Sequence, residues 1–248
     1  MSPRILSPFS RMLRSFWFGL FCPLAALRII FRDPKVLFFS AFPITITLAL
    51  YIYLFQIINN YLYGLLGPIL GGIGGNVSYW LFPIVMFLTK IIILLVSGMT
   101  FSLCANLIAC PFNDFLAEAA EPHTDLVSRL VPSPNWRQRF RLVRIDLFKT
   151  ITAIVAFVIS FLVSWAPVLN IIVPILTSLI IAFQYISYPQ TRRGEGILKG
   201  IQFLQRNFIA SWGFGIAASF LLSIPVVSAF FLPLVIIGGT ILYSKDHK

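Results

Sequence analysis

LLVSGMTFSLCANLIACPFNDFLAEAAE, residues 94–121, changes character partway along. Residues 94–110 carry no charge, and then Pro111, Asn113, Asp114, Glu118 and Glu121 follow within a dozen positions, the last three being the first acidic residues after Asp33. The uncharged part closes a longer apolar run, Tyr79–Cys110, broken only by Lys90. At about 1.5 Å per residue, a helix of that run outreaches a hydrocarbon core of about 30 Å, so it must tilt, bend or protrude. The stretch therefore reads as the end of a membrane helix and an elbow beyond it. Pro111 suits the first position of a new helix, where its missing N–H costs nothing. Asp114 falls in the first turn, where negative charge is favourable. Asp114, Glu118 and Glu121 follow at i, i+4 and i+7 and form one acidic stripe, which neighbouring basic segments are expected to neutralise, while Phe112, Phe115 and Leu116 face elsewhere.

Composition agrees. The chain has 248 residues, 58% of them hydrophobic and 11% charged, against about 25% charged in soluble domains. The mean hydropathy is +0.91. These values place it among multi-spanning membrane proteins. The net charge of +11 does not point to nucleic acid, because the basic residues sit in the loops between apolar runs, as cytoplasmic loops require. Cys22, Cys104 and Cys110 form no disulfide framework or Cys-x-x-Cys pair, and His123 and His247 are isolated. No catalytic set, metal cluster or phosphate loop is discernible, so an enzyme is disfavoured and no cofactor is expected.

The charge map divides the chain into three apolar blocks. Between Lys35 and Asp114 the only charge is Lys90, and 150–191 and 207–244 carry none. Each block is long enough for two helices. In the first, Val36–Ile58 is a spanning candidate and the Gly-rich Gly64–Asn76 reads as a loop. The other two contain similar proline pairs, APVLNIIVPIL (166–176) and IPVVSAFFLPLV (224–235). Each is expected to form two helices of about 17 residues around a Pro-marked bend. Such hairpins either turn at the far surface or penetrate partway and return, and partial-depth bends are a sequence pointer to a transport path. The whole is expected to be one membrane domain: an amphipathic segment 1–35, a long helix pair 36–110, a cytoplasmic amphipathic segment 111–149, a hairpin 150–189, a cytoplasmic loop or helix 190–207 and a hairpin 208–243.

All charged segments fall on one side, which the positive-inside rule makes cytoplasmic, with both termini inside. In the N-terminal segment Arg11, Arg14, Arg28 and Arg32 occupy one arc, and Phe16, Leu20, Leu24, Leu27 and Phe31 the opposite one. That pattern predicts an interfacial amphipathic helix, interrupted or kinked at Pro23, and not a signal peptide. In NWRQRFRLVRIDLFK (135–149), Arg137, Arg141 and Arg144 share a face that collects anions or meets anionic lipid. Asp146 and Lys149 are three apart and spaced to pair, which is worth about a few tenths of a kcal/mol where such a pair is exposed. Lys90, about 13 residues into its helix, costs on the order of 3 kcal/mol near the bilayer middle. It either attracts an anion in a pore or pairs with a carbonyl or snorkels.

Residues 94–121 resemble the signature region of the CysZ sulfate permease family of bacterial inner membranes, part of an etoposide-induced-protein-like superfamily. The matching positions are Gly98, Ser102, Ala105, Asn106, Ala109, Pro111, Phe112, Asn113, Leu116, Ala117, Glu118 and Glu121. FQYISYP (183–189) is similar to the family's Gln-Tyr-x-x-Tyr-Pro, carried by Gln184, Tyr185, Tyr188 and Pro189, and SIPVVSAFFLPLVIIGGT (223–240) is a third match. The resemblance implies an all-α integral membrane protein with two long transmembrane helices, amphipathic helices and Pro-bent, partly penetrating hairpins. It further implies a homo-oligomer in the bilayer that takes up sulfate for cysteine synthesis. The signature residues are expected to be structural.

Two departures accompany it. Family members bind sulfate at the start of the first long helix through backbone N–H groups and adjacent arginines, chemistry that suits an oxyanion. Here RDPKVLFFSAFP (32–43) puts Leu37 and Phe38 at the usual basic positions. Arg32 and Lys35 are left to supply charge there, with Lys90 a further candidate contact, or the chain is a non-transporting scaffold or envelope factor on the same fold. Ser187 stands where an acidic residue is common, so a charge pairing is lost.

Overall fold

A computed structural model describes residues 8–71, 83–85, 87–92, 112–126, 136–166, 171–223 and 225–245. Among these the chain is helical apart from short turns, without a strand. The helices are α1 (Pro8–Arg32), α2 (Pro34–Gly71), α3 (Trp136–Val163), α4 (Val173–Arg192), α5 (Ile197–Arg206), α6 (Phe208–Leu222) and α7 (Pro225–Ser244). Positions 112–120 are helical as well and run into a 3-10 turn, Glu121–His123. Among the described residues, four helices are long and apolar enough to cross a membrane, over Phe9–Arg32, Pro34–Ile58, Arg144–Val163 and Val227–Ser244.

Small residues close the bundle. α7 is its centre: 78% of its apolar window is buried, against 22% and 17% for α2 and α3. It packs on α1, α4 and α6. Gly213 lies on the backbone carbonyl of Phe16 and Gly239 on that of Tyr185, so that no side chain fits between the helices there. Between apolar helices in lipid, close backbone approach is the main source of association, and Gly permits it. The exposed faces of α2 and α3 carry large apolar side chains such as Ile52, Tyr53, Phe157 and Phe161, as lipid-facing or subunit-facing surfaces do. Buried hydroxyls in α2 are satisfied within the helix, Ser40 donating to the Val36 carbonyl and Thr47 to that of Pro43.

α1 has the length of a spanning helix, but its packing sets it across the end of the bundle. Phe16 packs edge-on to Trp212, Gly19 rests on Ala210, Pro23 on Gly238, and Lys245 sits over the Phe18 ring. These partners lie within the first two turns of α6, the last two turns of α7, or the residue just past α7. Arg206 precedes α6 and Lys245 follows α7, so α1 crosses the charged end, the disposition expected of an interfacial amphipathic helix. It packs through small residues, Gly19, Cys22 and Ala26, and leaves Trp17, Phe21, Leu24 and Phe31 exposed. It is not interrupted at Pro23, which lies inside a continuous helix.

Other expectations need correction. The Gly-rich stretch read as a loop from Gly64 is helical to Gly71, and positions 72–76 lie outside the described residues. Glycine is a weak helix breaker, and helix is the cheapest way to satisfy a backbone next to lipid. α2 is therefore about 57 Å long at 1.5 Å per residue, well beyond one hydrocarbon thickness. The two proline pairs are not equivalent. Pro174 lies in the first turn of α4 and Pro167 outside the described residues, whereas Pro225 begins α7 and Pro233 sits within it. The hairpin legs are unequal too: 28 and 20 residues in α3 and α4, 15 and 20 in α6 and α7. At about 22 Å, α6 is shorter than a hydrocarbon core, which fits partial penetration.

Candidate functional site

The acidic elbow is held by the end of α4. Glu121 is 1% exposed and accepts from Arg193 Nη1 at 2.9 Å, with Arg192 Nε 3.6 Å away. Glu118 pairs with Arg192 at 3.0 Å. Arg193 also donates to the Pro189 carbonyl and lies 5.5 Å from the Tyr243 ring centroid. The Tyr243 hydroxyl in turn donates to Glu195 at 3.0 Å. Asn113 donates to the Tyr188 hydroxyl at 3.1 Å. The two signature motifs, one around 112–121 and the other around 184–189, are thus joined directly.

The other face of the elbow packs as its spacing predicts. Phe115 stacks on Phe39 at 5.8 Å and Phe112 meets Phe42 at 5.3 Å, both on α2, and Leu116 is buried. Asn106 and Pro111 lie outside the described residues. Tyr185 is buried against Gly239, and Gln184 lines a small cavity beside Lys149.

The α1–α2 junction turns on one residue. The Asp33 N–H closes α1 on the Ile29 carbonyl, and the Asp33 carbonyl receives the Leu37 N–H that starts α2. Its side-chain Oδ1 accepts the Lys35 N–H at 2.8 Å, the geometry of an N-cap, with Pro34 first in the helix. Asp33 Oδ2 is 3.6 Å from His123 Nε2, which ties the junction to the elbow's 3-10 turn. The positive end of α2 is therefore served by the chain's own carboxylate. Arg32 and Lys35 are both exposed beside it, as are Leu37 and Phe38. Lys90 lies on the helical stretch Pro83–Ile92, exposed. An open cavity of about 520 Å³ adjoins the junction, lined among others by Arg28, Arg32, His123, Asp125 and Ser244.

Lys149, spaced to pair with Asp146, is 1% exposed, and its ammonium donates to Gln190 Oε1 at 3.4 Å and Thr191 Oγ1 at 3.3 Å. It shares with Asp146, Gln184, Ser187 and Tyr188 a cavity of about 20 Å³, the size of a single water. Ser187 brings no carboxylate to this spot, and Asp146 lines the cavity with the lysine. The basic stretch belongs to α3, which runs unbroken from Trp136 into the first leg of the hairpin, with Arg141 and Arg144 exposed.

Arg192, Arg193 and Lys149 were missed as functional positions by sequence reading. A signal existed for the arginines: two adjacent cations follow Gln-Tyr-x-x-Tyr-Pro, opposite in sign to a stripe that needed partners. Nothing in the local sequence marks Lys149 as buried.

These features define an all-α integral membrane protein with an N-terminal helix across a charged end and Pro-containing helical hairpins. Residues 22–233 match the family described as Sulfate transporter CysZ/Etoposide-induced protein 2.4, and the chain belongs to it. Among its relatives is a protein named sulfate transporter CysZ from Pseudomonas fluorescens (strain Pf0-1), 28% identical over 178 residues, 68% of this chain and 69% of that one. A protein of the same name from Vibrio cholerae serotype O1 is 28% identical over 183 residues, 68% and 70% of the two chains. Another from Pseudomonas syringae pv. tomato is 29% identical over 179 residues, 68% of each.

Proposed function

We propose that this chain is a multi-pass sulfate permease of a bacterial inner membrane that feeds cysteine synthesis. The observation that carries the reading is the family match over residues 22–233, together with relatives named sulfate transporter along two thirds of their length. The geometry agrees with it. A short apolar hairpin leg, α6, and a helix across the charged end, α1, leave room for a path that need not span one continuous helix. Arg32 and Lys35 at the α1–α2 junction, and Lys90 along the path, offset the desolvation of the dianion. The signature residues Asn113, Glu118, Glu121 and Tyr188 hold the elbow to α4 and do not serve as anion ligands. Both termini are cytoplasmic, by the positive-inside rule. The exposed apolar faces of α2 and α3 meet lipid and a second copy of the chain, since the family assembles as oligomers.

Purified protein in proteoliposomes is expected to carry radiolabelled sulfate above the rate of empty vesicles. Folded, monodisperse protein that gives no such flux would reject the permease and leave the scaffold reading in its place.

A further inference from the structure

We propose that the cavity where the start of α1 meets the α5–α6 junction is a headgroup seat for an anionic phospholipid, which staples α1 to the charged end of the bundle. The inference rests on the interfacial placement of α1 and is independent of the permease reading. The cavity measures about 250 Å³ and is lined by Arg11, Met12 and Ser15 of α1, by Arg206 at the end of α5, and by the first residues of α6. Packing brings these parts together. Gly19 rests on Ala210 and Phe16 packs edge-on to Trp212, which lays the preceding turns of α1 alongside the start of α6. Two guanidinium groups from distant parts of the chain thus border one opening. Among the described residues no carboxylate lines it, and neither α1 nor α6 contains one.

The positive end of α6 adds to the two cations. The Ser211 N–H closes on the Asn207 carbonyl at 2.8 Å, so the N–H groups of the residues before it, which line the cavity, have no partner within the helix. Asn207 stands at the N-cap but its side chain does not cap, and its amide nitrogen is 3.5 Å from the Phe203 carbonyl instead. Helix-start N–H groups and guanidinium forks are the donors that suit a phosphate. The rim distinguishes a lipid from a free anion. Met12 and Phe208 line the cavity and are exposed, and so are Phe9 and Leu13, two residues to either side of Arg11. A ligand with charge and apolar chains in one molecule satisfies both features, whereas an inorganic ion leaves the apolar rim in water. The volume accepts a phosphate with its glycerol, one water taking about 30 Å³, and leaves the acyl chains outside against the exposed apolar side chains. Basic residues beside a membrane surface attract anionic lipid. A headgroup held by α1 and by the α5–α6 junction together stabilises the folded chain.

The test is thermal unfolding of the purified full-length protein in neutral detergent. Dihexanoyl phosphatidylglycerol, dihexanoyl phosphatidylcholine or glycerol 3-phosphate is added at equal ionic strength. The variants are Arg11→Gln/Arg206→Gln and Arg28→Gln/Arg32→Gln, which removes the same charge from the far end of α1. Saturating phosphatidylglycerol is expected to raise the unfolding temperature of the wild type by on the order of 5 °C. Arg28→Gln/Arg32→Gln keeps that rise and Arg11→Gln/Arg206→Gln loses most of it, while phosphatidylcholine and glycerol 3-phosphate give no comparable rise. A wild type that does not respond overturns the seat, as does a rise that Arg11→Gln/Arg206→Gln keeps. A rise that both variants lose equally is general attraction of charge and also overturns it. If glycerol 3-phosphate stabilises as much as phosphatidylglycerol, and only Arg11→Gln/Arg206→Gln loses the effect, the ligand is a free phosphate ester and the lipid is rejected. Should that double variant not purify as folded protein, Arg11→Gln alone decides. Arg11 is exposed and makes no ion pair among the described residues, so the single variant is expected to fold and to lose at least half of the rise. An unchanged rise in Arg11→Gln rejects the seat.

Discussion

Glu121 is the most consequential single side chain in the elbow, because it is the carboxylate shared by two arginines. At 1% exposure it has no solvent to replace a lost partner. Converting it to Gln takes the buried carboxylate from two mostly buried guanidinium groups and leaves Arg192 with Glu118 and Arg193 with the Pro189 carbonyl, a loss of up to about 3–5 kcal/mol, the cost of breaking a buried pair. Glu118, with 30% of its side chain exposed, is partly screened, and its loss is worth about 1 kcal/mol. Glu121→Gln is accordingly expected to lower the unfolding temperature in detergent far more than Glu118→Gln does. Equal shifts in the two variants would contradict the shared-carboxylate lock. Neither substitution is expected to change the preference for sulfate over other oxyanions in a flux assay, because both carboxylates face arginines of the same chain. The acidic stripe was readable at this scale, since helical spacing alone separates 114, 118 and 121 from the aromatic side of the segment. Its partners, some seventy residues away, were not, because only a folded chain sets the end of α4 against the elbow.

At the scale of elements, the close crossings of α1, α4, α6 and α7 decide whether the bundle assembles. A Cβ at Gly213 would land on the Phe16 backbone, which cannot swing aside as a flexible side chain can. Gly213→Leu is therefore expected to abolish a monodisperse peak in size-exclusion chromatography. Gly64 is the counter-example: a Cβ there meets nothing within 4 Å, and alanine is the better helix former by about 1 kcal/mol. Gly64→Ala is expected to leave the elution profile unchanged and to raise the melting temperature slightly. A loss of folded protein on Gly64→Ala would argue that α2 is not helical there. The same pair shows why glycine content misled the sequence reading. Glycines in an apolar run mark a loop in water, but beside lipid they equally serve a continuous helix or a close crossing. The proline pairs misled for a related reason: a proline that starts a helix and one inside it look alike in sequence.

For the whole molecule, the question is which helices cross. Length and composition admit α1 as a span, yet its neighbours are the ends of α6 and α7. Single cysteines at Arg11 and Arg32, in a background with Cys22, Cys104 and Cys110 replaced, are expected to react with a membrane-impermeant maleimide from the same side of oriented vesicles. Labelling from opposite sides would make α1 a transmembrane helix and undo the placement of the charged end.

Sequence by itself determined the class, the distribution of charge to helix ends, the amphipathic first helix and the two faces of the elbow. All of these follow from periodicity and from the cost of placing charge in hydrocarbon, both local properties of the chain. Tertiary structure alone decided that Arg192 and Arg193 close the elbow, that Lys149 is buried against Gln190 and Thr191, and that α1 lies across the bundle. It also set Arg28 and Arg32 around one cavity with His123. The physical reason is common to all four: each depends on which helix ends meet. In an apolar bundle that is set by close packing of small residues, for which sequence spacing carries little signal.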